Sequence, residues 1–111
     1  MEFTLAKCTD HDHEIAAAKH DQIRLFHVKR RLGLEPLNDV EGSWQVCDPS
    51  TAGPFSAVGY FFGRDLNEDL KEPVGLIESS WGGTPAQAWT SIDGLEADVL
   101  TKGPVSYTHL C

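Results

Sequence analysis

The residues best suited to chemistry lie in one stretch, Val74-Gly75-Leu76-Ile77-Glu78-Ser79-Ser80-Trp81-Gly82-Gly83-Thr84-Pro85-Ala86-Gln87-Ala88-Trp89. A short apolar run stops at two small hydroxyl residues. A double glycine framed by Trp81 and Thr84 follows, and Pro85 with the next small residues reads as a helix start. This is the pattern of a strand feeding a tight turn at a helix N-terminus, where α/β proteins turn backbone N–H groups toward a ligand. Phosphate fits that turn poorly, because neither G-x-G-x-x-G nor G-x-x-x-x-G-K occurs and no Lys or Arg follows closely. Ser79 and Ser80 read as strand-end hydroxyls, since Glu78 and Trp81 stand where a G-x-S-x-G nucleophile elbow needs glycine. A second cluster, Asp10-His11-Asp12-His13, contains Asp-x-x-His and His-x-His but no third clustered metal ligand. It reads as a helix start with capping carboxylates. His20 and His27 have no acid or cysteine at ligand spacing and read as ordinary surface or core histidines.

The elements that must position the glycine turn follow from periodicity. Asp10 or Asp12 can cap a short helix through Ala16, Ala17 and Ala18, with Glu14 adding charge to its first turn. Residues 23–28 read as a strand apolar on both faces, which suits a sheet covered on two sides. Residues 31–51 read as loop, with Gly33, Pro36, Asn38, Asp39, Gly42 and Pro49 breaking any period and Trp44 and Val46 as apolar anchors. Residues 54–70 read as the strongest helix, its apolar side formed by Phe55, Val58, Phe62, Leu66 and Leu70, and Tyr60, Phe61 and Phe62 read as packing residues. Gly59 and Gly63 within it each cost on the order of 1 kcal/mol relative to Ala, so close packing on a neighbour is the expected offset. A strand over 74–77 then makes a parallel βαβ arrangement with the first strand. Residues 91–96 read as one further helical turn, and 103–111 fit no element and read as a non-native tail.

Composition sets the outer bounds. A chain of 111 residues with 41% hydrophobic and 23% charged residues is at most one small domain. A net charge of −8 argues against nucleic acid and anionic membrane surfaces, which need a basic patch. The one basic run, Lys29-Arg30-Arg31, reads as a solvated strand end. Cys8, Cys47 and Cys111 are widely spaced and contain no C-x-x-C, so neither a zinc knuckle nor a thioredoxin-like motif is supported. No window reaches transmembrane length, and the first residues do not read as a signal peptide.

Three blocks, residues 42–47 (GSWQVC), 55–66 (FSAVGYFFGRDL) and 75–89 (GLIESSWGGTPAQAW), together resemble the sialate O-acetylesterase family in content and order. The resemblance implies a partial flavodoxin-like α/β fold of the SGNH-hydrolase type over residues 1–102, with three layers and a short parallel sheet. It implies a serine esterase that removes O-acetyl groups from sugars through an acyl-enzyme, with no metal and no cofactor. The family's nucleophile lies in a Gly-Gln-Ser-Asn-Met-Glu-Phe stretch. Because this chain opens Met1-Glu2-Phe3, the expected serine falls two residues before Met1, and the family's Asp-x-x-His falls beyond Cys111. The implied reading is an internal fragment that is inactive as it stands. Carried over residue by residue, the resemblance makes Gly82 an oxyanion-hole position and Trp81, Gly83 and Thr84 substrate-binding residues. Glu78 stands where relatives often carry a polar amide.

The implied partner is an O-acetylated sugar, and the implied compartment is extracellular, periplasmic or lysosomal. Oligomeric state is left open. The alternative is a non-catalytic α/β module that binds carbohydrate or protein through Trp44, Trp81 and Trp89.

Overall fold

The computed structural model describes residues 1–33 and 35–97, together with the backbone pairing of His109–Leu110. The fold is mixed α/β. A one-turn 3-10 helix (Leu5–Lys7) leads to helix α1 (His11–Ala17), then strands β1 (His20–His27), β2 (Leu32–Gly33) and β3 (Trp44–Cys47). The short helix α2 (Pro49–Ala52) and the long α3 (Ala57–Leu70) follow, then β4 (Val74–Glu78), a 3-10 turn (Ala86–Trp89), α4 (Ile92–Ala97) and β5 (His109–Leu110).

The central sheet has the order β3-β1-β4. β1 and β4 are parallel, with Ile23 opposite Val74, Leu25 opposite Leu76 and His27 opposite Glu78. With α3 between them, they form the expected βαβ unit. β3 adds antiparallel to the other side of β1, with an irregularity between His20 and Arg24. Residues 44–47 are therefore strand rather than the loop that their glycine- and proline-rich surroundings suggest. Pairing with β1 supplies what a four-residue segment cannot show by period alone. β2 and β5 form a separate antiparallel pair, so His109 and Leu110 have a place in the fold. The rest of the 103–111 tail lies outside the described residues.

The core lies on one face of this sheet. Ile23, Leu25 and Leu76 are buried against Leu5, Cys47, Ala52, Phe55, Ala57 and Tyr60. The N-terminal segment is pinned beside the start of α3. The N–H groups of Leu5 and Ala6 donate to the carbonyls of Phe55 and Gly53 (2.9 and 3.0 Å), and Ala57 N–H donates to the Phe3 carbonyl (2.9 Å). The opposite face is open among the described residues. Trp44, Val46 and Ile77 are 52, 39 and 65% exposed there, and the Trp44 ring lies tilted against Phe26 at 5.2 Å. The strand's two apolar faces thus do not mean a sheet covered on both sides among the described residues.

Helix α3 begins later than its periodicity suggests, with Ser56 as N-cap accepting weakly from Gly59 N–H (3.4 Å). Its buried face is also rotated from the expected one. Ala57, Tyr60 and Gly63 face the core, whereas Val58, Phe62 and Leu70 are exposed. The glycines explain the rotation. A Cβ on Gly63 would collide with the Leu76 side chain, and one on Gly59 would sit 3.1 Å from the Phe55 ring. The helix approaches β4 along its bare side, so the bulkier apolar residues turn outward. The strand–helix contact at Leu76 offsets the propensity cost of Gly63, whereas Gly59 packs on Phe55 and Ser56 just before the helix.

At α1, Asp10 is the N-cap but adopts a left-handed conformation (φ 60°) with no side-chain capping bond. Glu14 instead pairs with Arg64 of α3 (3.3 Å). A capping box stands at α2, where the Asp48 carboxylate accepts from the N–H groups of Ser50 and Thr51 (2.7 and 3.1 Å). The Ser50 hydroxyl, which also donates to this carboxylate, and then these backbone bonds hold the Asp48 carboxyl below the usual carboxylate range.

Cys8 and Cys47 are free thiols. Burial, reinforced by the neighbouring Asp48 charge, pushes the Cys47 thiol up to about 11, and burial also raises Tyr60. Both groups must stay neutral in the fold. Stability is therefore full below the thiol's unfolded value and falls as pH rises through the folded one. We expect denaturant midpoints of the chain to decline between about pH 9 and 11. Cys47→Ala should remove the lower part of that decline while Tyr60 keeps the upper part. An unchanged profile in Cys47→Ala would contradict the assignment.

Candidate active site

Parallel strands β1 and β4 end side by side, His27 opposite Glu78. The carboxyl ends of parallel strands are where open α/β sheets gather ligands. At this corner Glu78 is buried, and its carboxylate accepts from Ser56 N–H (2.9 Å) and from the Ser80 hydroxyl (2.8 Å). His27 Nδ1 lies 3.5 Å from the same carboxylate. One side chain thus joins the end of β1, the N-cap of α3 and the loop that leaves β4. Ser80 is held by Glu78 and not by an imidazole, which agrees with its reading as a strand-end hydroxyl.

The loop turns at Gly82-Gly83. Gly83 has φ +79°, a left-handed backbone that glycine adopts without strain. Thr84 fastens the turn: its hydroxyl donates to the Trp81 carbonyl (2.6 Å) and accepts from Trp89 Nε1–H (2.8 Å). The segment after the turn is a single 3-10 turn, not the α-helix start that Pro85 and the small residues suggest. A helix-dipole contribution is therefore absent, and single backbone donors carry whatever anion affinity the turn has.

Gly82 N–H donates to Glu2 Oε2 (2.5 Å), across 80 positions of sequence. The other Glu2 oxygen is ion-paired with Arg30, whose guanidinium lies over the Trp81 ring, 5.4 Å from its centroid. Glu2, Trp81 and Gly82 border an open cleft of about 370 Å³ lined by Met1, Glu2, residues 79–84 and Trp89. The structure thus brings Trp81, Gly82, Gly83 and Thr84 to one cleft and adds Trp89. Trp44 is not in this lining; it stands on β3 against Phe26.

Sequence reasoning missed Glu2 and Arg30. Their signal was faint: Glu2 belongs to the quoted Met-Glu-Phe stretch, and Arg30 is the middle of the basic run. That run is exposed but paired throughout. Lys29 binds Glu41 (2.8 Å), Arg31 lies 3.8 Å from the same carboxylate, and Arg30 takes Glu2. Lys29, through its hydrogen bond and charge, holds the Glu41 carboxyl below its usual range. The Asp10–His13 cluster stays apart from the cleft. His11 Nδ1 meets the Cys8 carbonyl (3.1 Å), and His13 lies 3.8 Å from Asp10.

Comparison with known proteins finds similar esterases. Sialate O-acetylesterase from Rattus norvegicus is 34% identical over 87% of the chain, and that from Homo sapiens is 33% identical over 96%. Over the segment that it spans, the chain is similar to sialate O-acetylesterases. It covers only 20 and 22% of those two relatives' own lengths. The crystal structure of a carbohydrate acetylesterase from Xanthomonas citri matches with a TM-score of 0.84 and 36% identity, over 86% of this chain and 22% of that one. No family model matches. The structural match bears out the α/β fold with its parallel pair.

Glu78 offers a direct check on how this corner is held. Glu78→Ala leaves the buried Ser56 N–H and the Ser80 hydroxyl without their acceptor and should cost about 2–3 kcal/mol in chemical denaturation. Glu78→Gln keeps a carbonyl oxygen for one donor and should cost less than half as much. A midpoint for Glu78→Ala within error of the parent would refute the anchoring role.

Proposed function

We propose that this chain is the oxyanion-donor segment of a serine carbohydrate esterase that removes O-acetyl groups from sialic acid or related sugars. The observation that carries this reading is the Gly82-Gly83 turn, set at the carboxyl ends of parallel strands and walled by Trp81 and Thr84, within a segment matched to acetylesterases. In the proposed reaction a serine oxygen attacks the acetyl carbonyl, and a histidine takes its proton. The carbonyl oxygen gains negative charge as the new C–O bond forms. When the intermediate collapses, the bond to the sugar oxygen breaks, the histidine returns the proton to it, and water later releases acetate. A backbone N–H aimed at the charged oxygen lowers the barrier by about 3 kcal/mol in comparable sites. The turn supplies such a donor, and its lack of side chains lets the acetyl group approach the backbone.

In this reading the serine and the Asp-His pair come from outside the 111 residues, and Trp81 and Trp89 offer faces to the sugar. Binding through a single surface formed by all three tryptophans is less well supported, because Trp44 is not in the cleft lining.

The purified 111-residue chain should release no acetate from O-acetylated sialic acid. The same sequence in a reading frame extended to include Gly-Gln-Ser-Asn and Asp-x-x-His should release it. Acetate release by the chain alone, free of contaminating esterase, would overturn the division of the triad. An inactive, folded extended protein would overturn the esterase reading.

A further inference from the structure

The two glycines of the turn are not equivalent. Gly82 N–H already makes a charge-assisted bond to Glu2 Oε2, a class of bond roughly twice as strong as a neutral one. Glu2 is not a loose arm. Its other oxygen is held by Arg30, Arg30 lies on Trp81, and the next residue, Phe3, accepts from Ala57 N–H (2.9 Å). Freeing Gly82 N–H for a substrate would break this clasp. A second negative oxygen placed on that N–H would also face the Glu2 carboxylate at close range. Gly83 differs in each respect. Among the described residues its N–H has no partner, no atom lies within 4 Å of where a side chain would begin, and its φ of +79° selects glycine. It borders the same cleft.

We propose that the glycines divide the work: Gly82 N–H is a structural donor clamped to Glu2, and Gly83 N–H is the donor that receives the acyl oxygen. Glu2 is then a positioning residue that fixes the turn through Gly82, with Arg30 neutralising its charge beside the site. This rests on the esterase reading but assigns the donor differently from the Gly82 carry-over.

The test is amide NMR on the full 111-residue chain, titrated with sodium acetate against sodium chloride at equal ionic strength. Acetate supplies the oxygen that the donor would meet. Gly83's amide should shift in a saturable, acetate-specific way while Gly82's stays fixed. In Glu2→Gln, Gly82's amide should move as its carboxylate partner is lost, and Gly83's acetate response should persist. A saturable response at Gly82 with none at Gly83, or no acetate-specific response at either, overturns the assignment. Acetate release by the extended protein, measured separately, decides the esterase reading, so the two can fail independently.

Discussion

A buried carboxylate cannot be left unpaired, and the Glu78 side chain meets that demand in a way that organises the whole corner. Its donors come from the start of α3, from Ser80 in the loop and, at longer range, from His27 at the end of β1. The Glu78 carbonyl adds a fourth link, accepting from Val28 N–H (2.9 Å). Side chain and main chain of one residue therefore fix where β1 ends, where α3 begins and how the chain leaves β4. The glycine turn hangs from this fixed point, and Glu2 and Thr84 fasten it from two further sides.

Arg30 shows how a site of this kind manages charge in an acidic protein. A carboxylate clamped on a backbone N–H in an acidic protein adds to local repulsion unless a cation answers it. Here the cation comes from the exit of β1 and is itself held over the Trp81 face, an arrangement that favours guanidinium over ammonium because the planar group can both pair and stack. The neighbouring Lys29 and Arg31 are committed to Glu41, which leaves Arg30 alone for Glu2.

Much of the architecture was legible from residue order. The βαβ unit followed from the periods of residues 23–28, 54–70 and 74–77, and the glycine turn stood out by composition. The failures have physical causes. β3 is too short and too surrounded by turn residues for its period to show, and only pairing with β1 makes it a strand. The buried face of α3 was misplaced because a helical wheel weighs side chains, whereas this helix packs through Gly63, which has none. Of the cleft lining, Trp81 to Thr84 could be named from the resemblance. The Glu2–Arg30–Gly82 clasp could not, because it joins residues 28 and 80 positions from Glu2 through tertiary structure alone.

The open sheet face gives the isolated chain a particular solution character. β4 is the outer strand of the three-stranded sheet, so among the described residues one row of its peptide groups has no strand neighbour, and Ile77, Val58 and Phe62 stand exposed nearby. Peptide groups and apolar side chains presented together are the template that recruits another strand. The net charge of −8 opposes that recruitment at long range, and its reach shrinks as counter-ions accumulate. Colloidal behaviour of this molecule is thus governed by ionic strength: dilute buffer keeps copies apart, and salt brings the β4 edges within reach of one another.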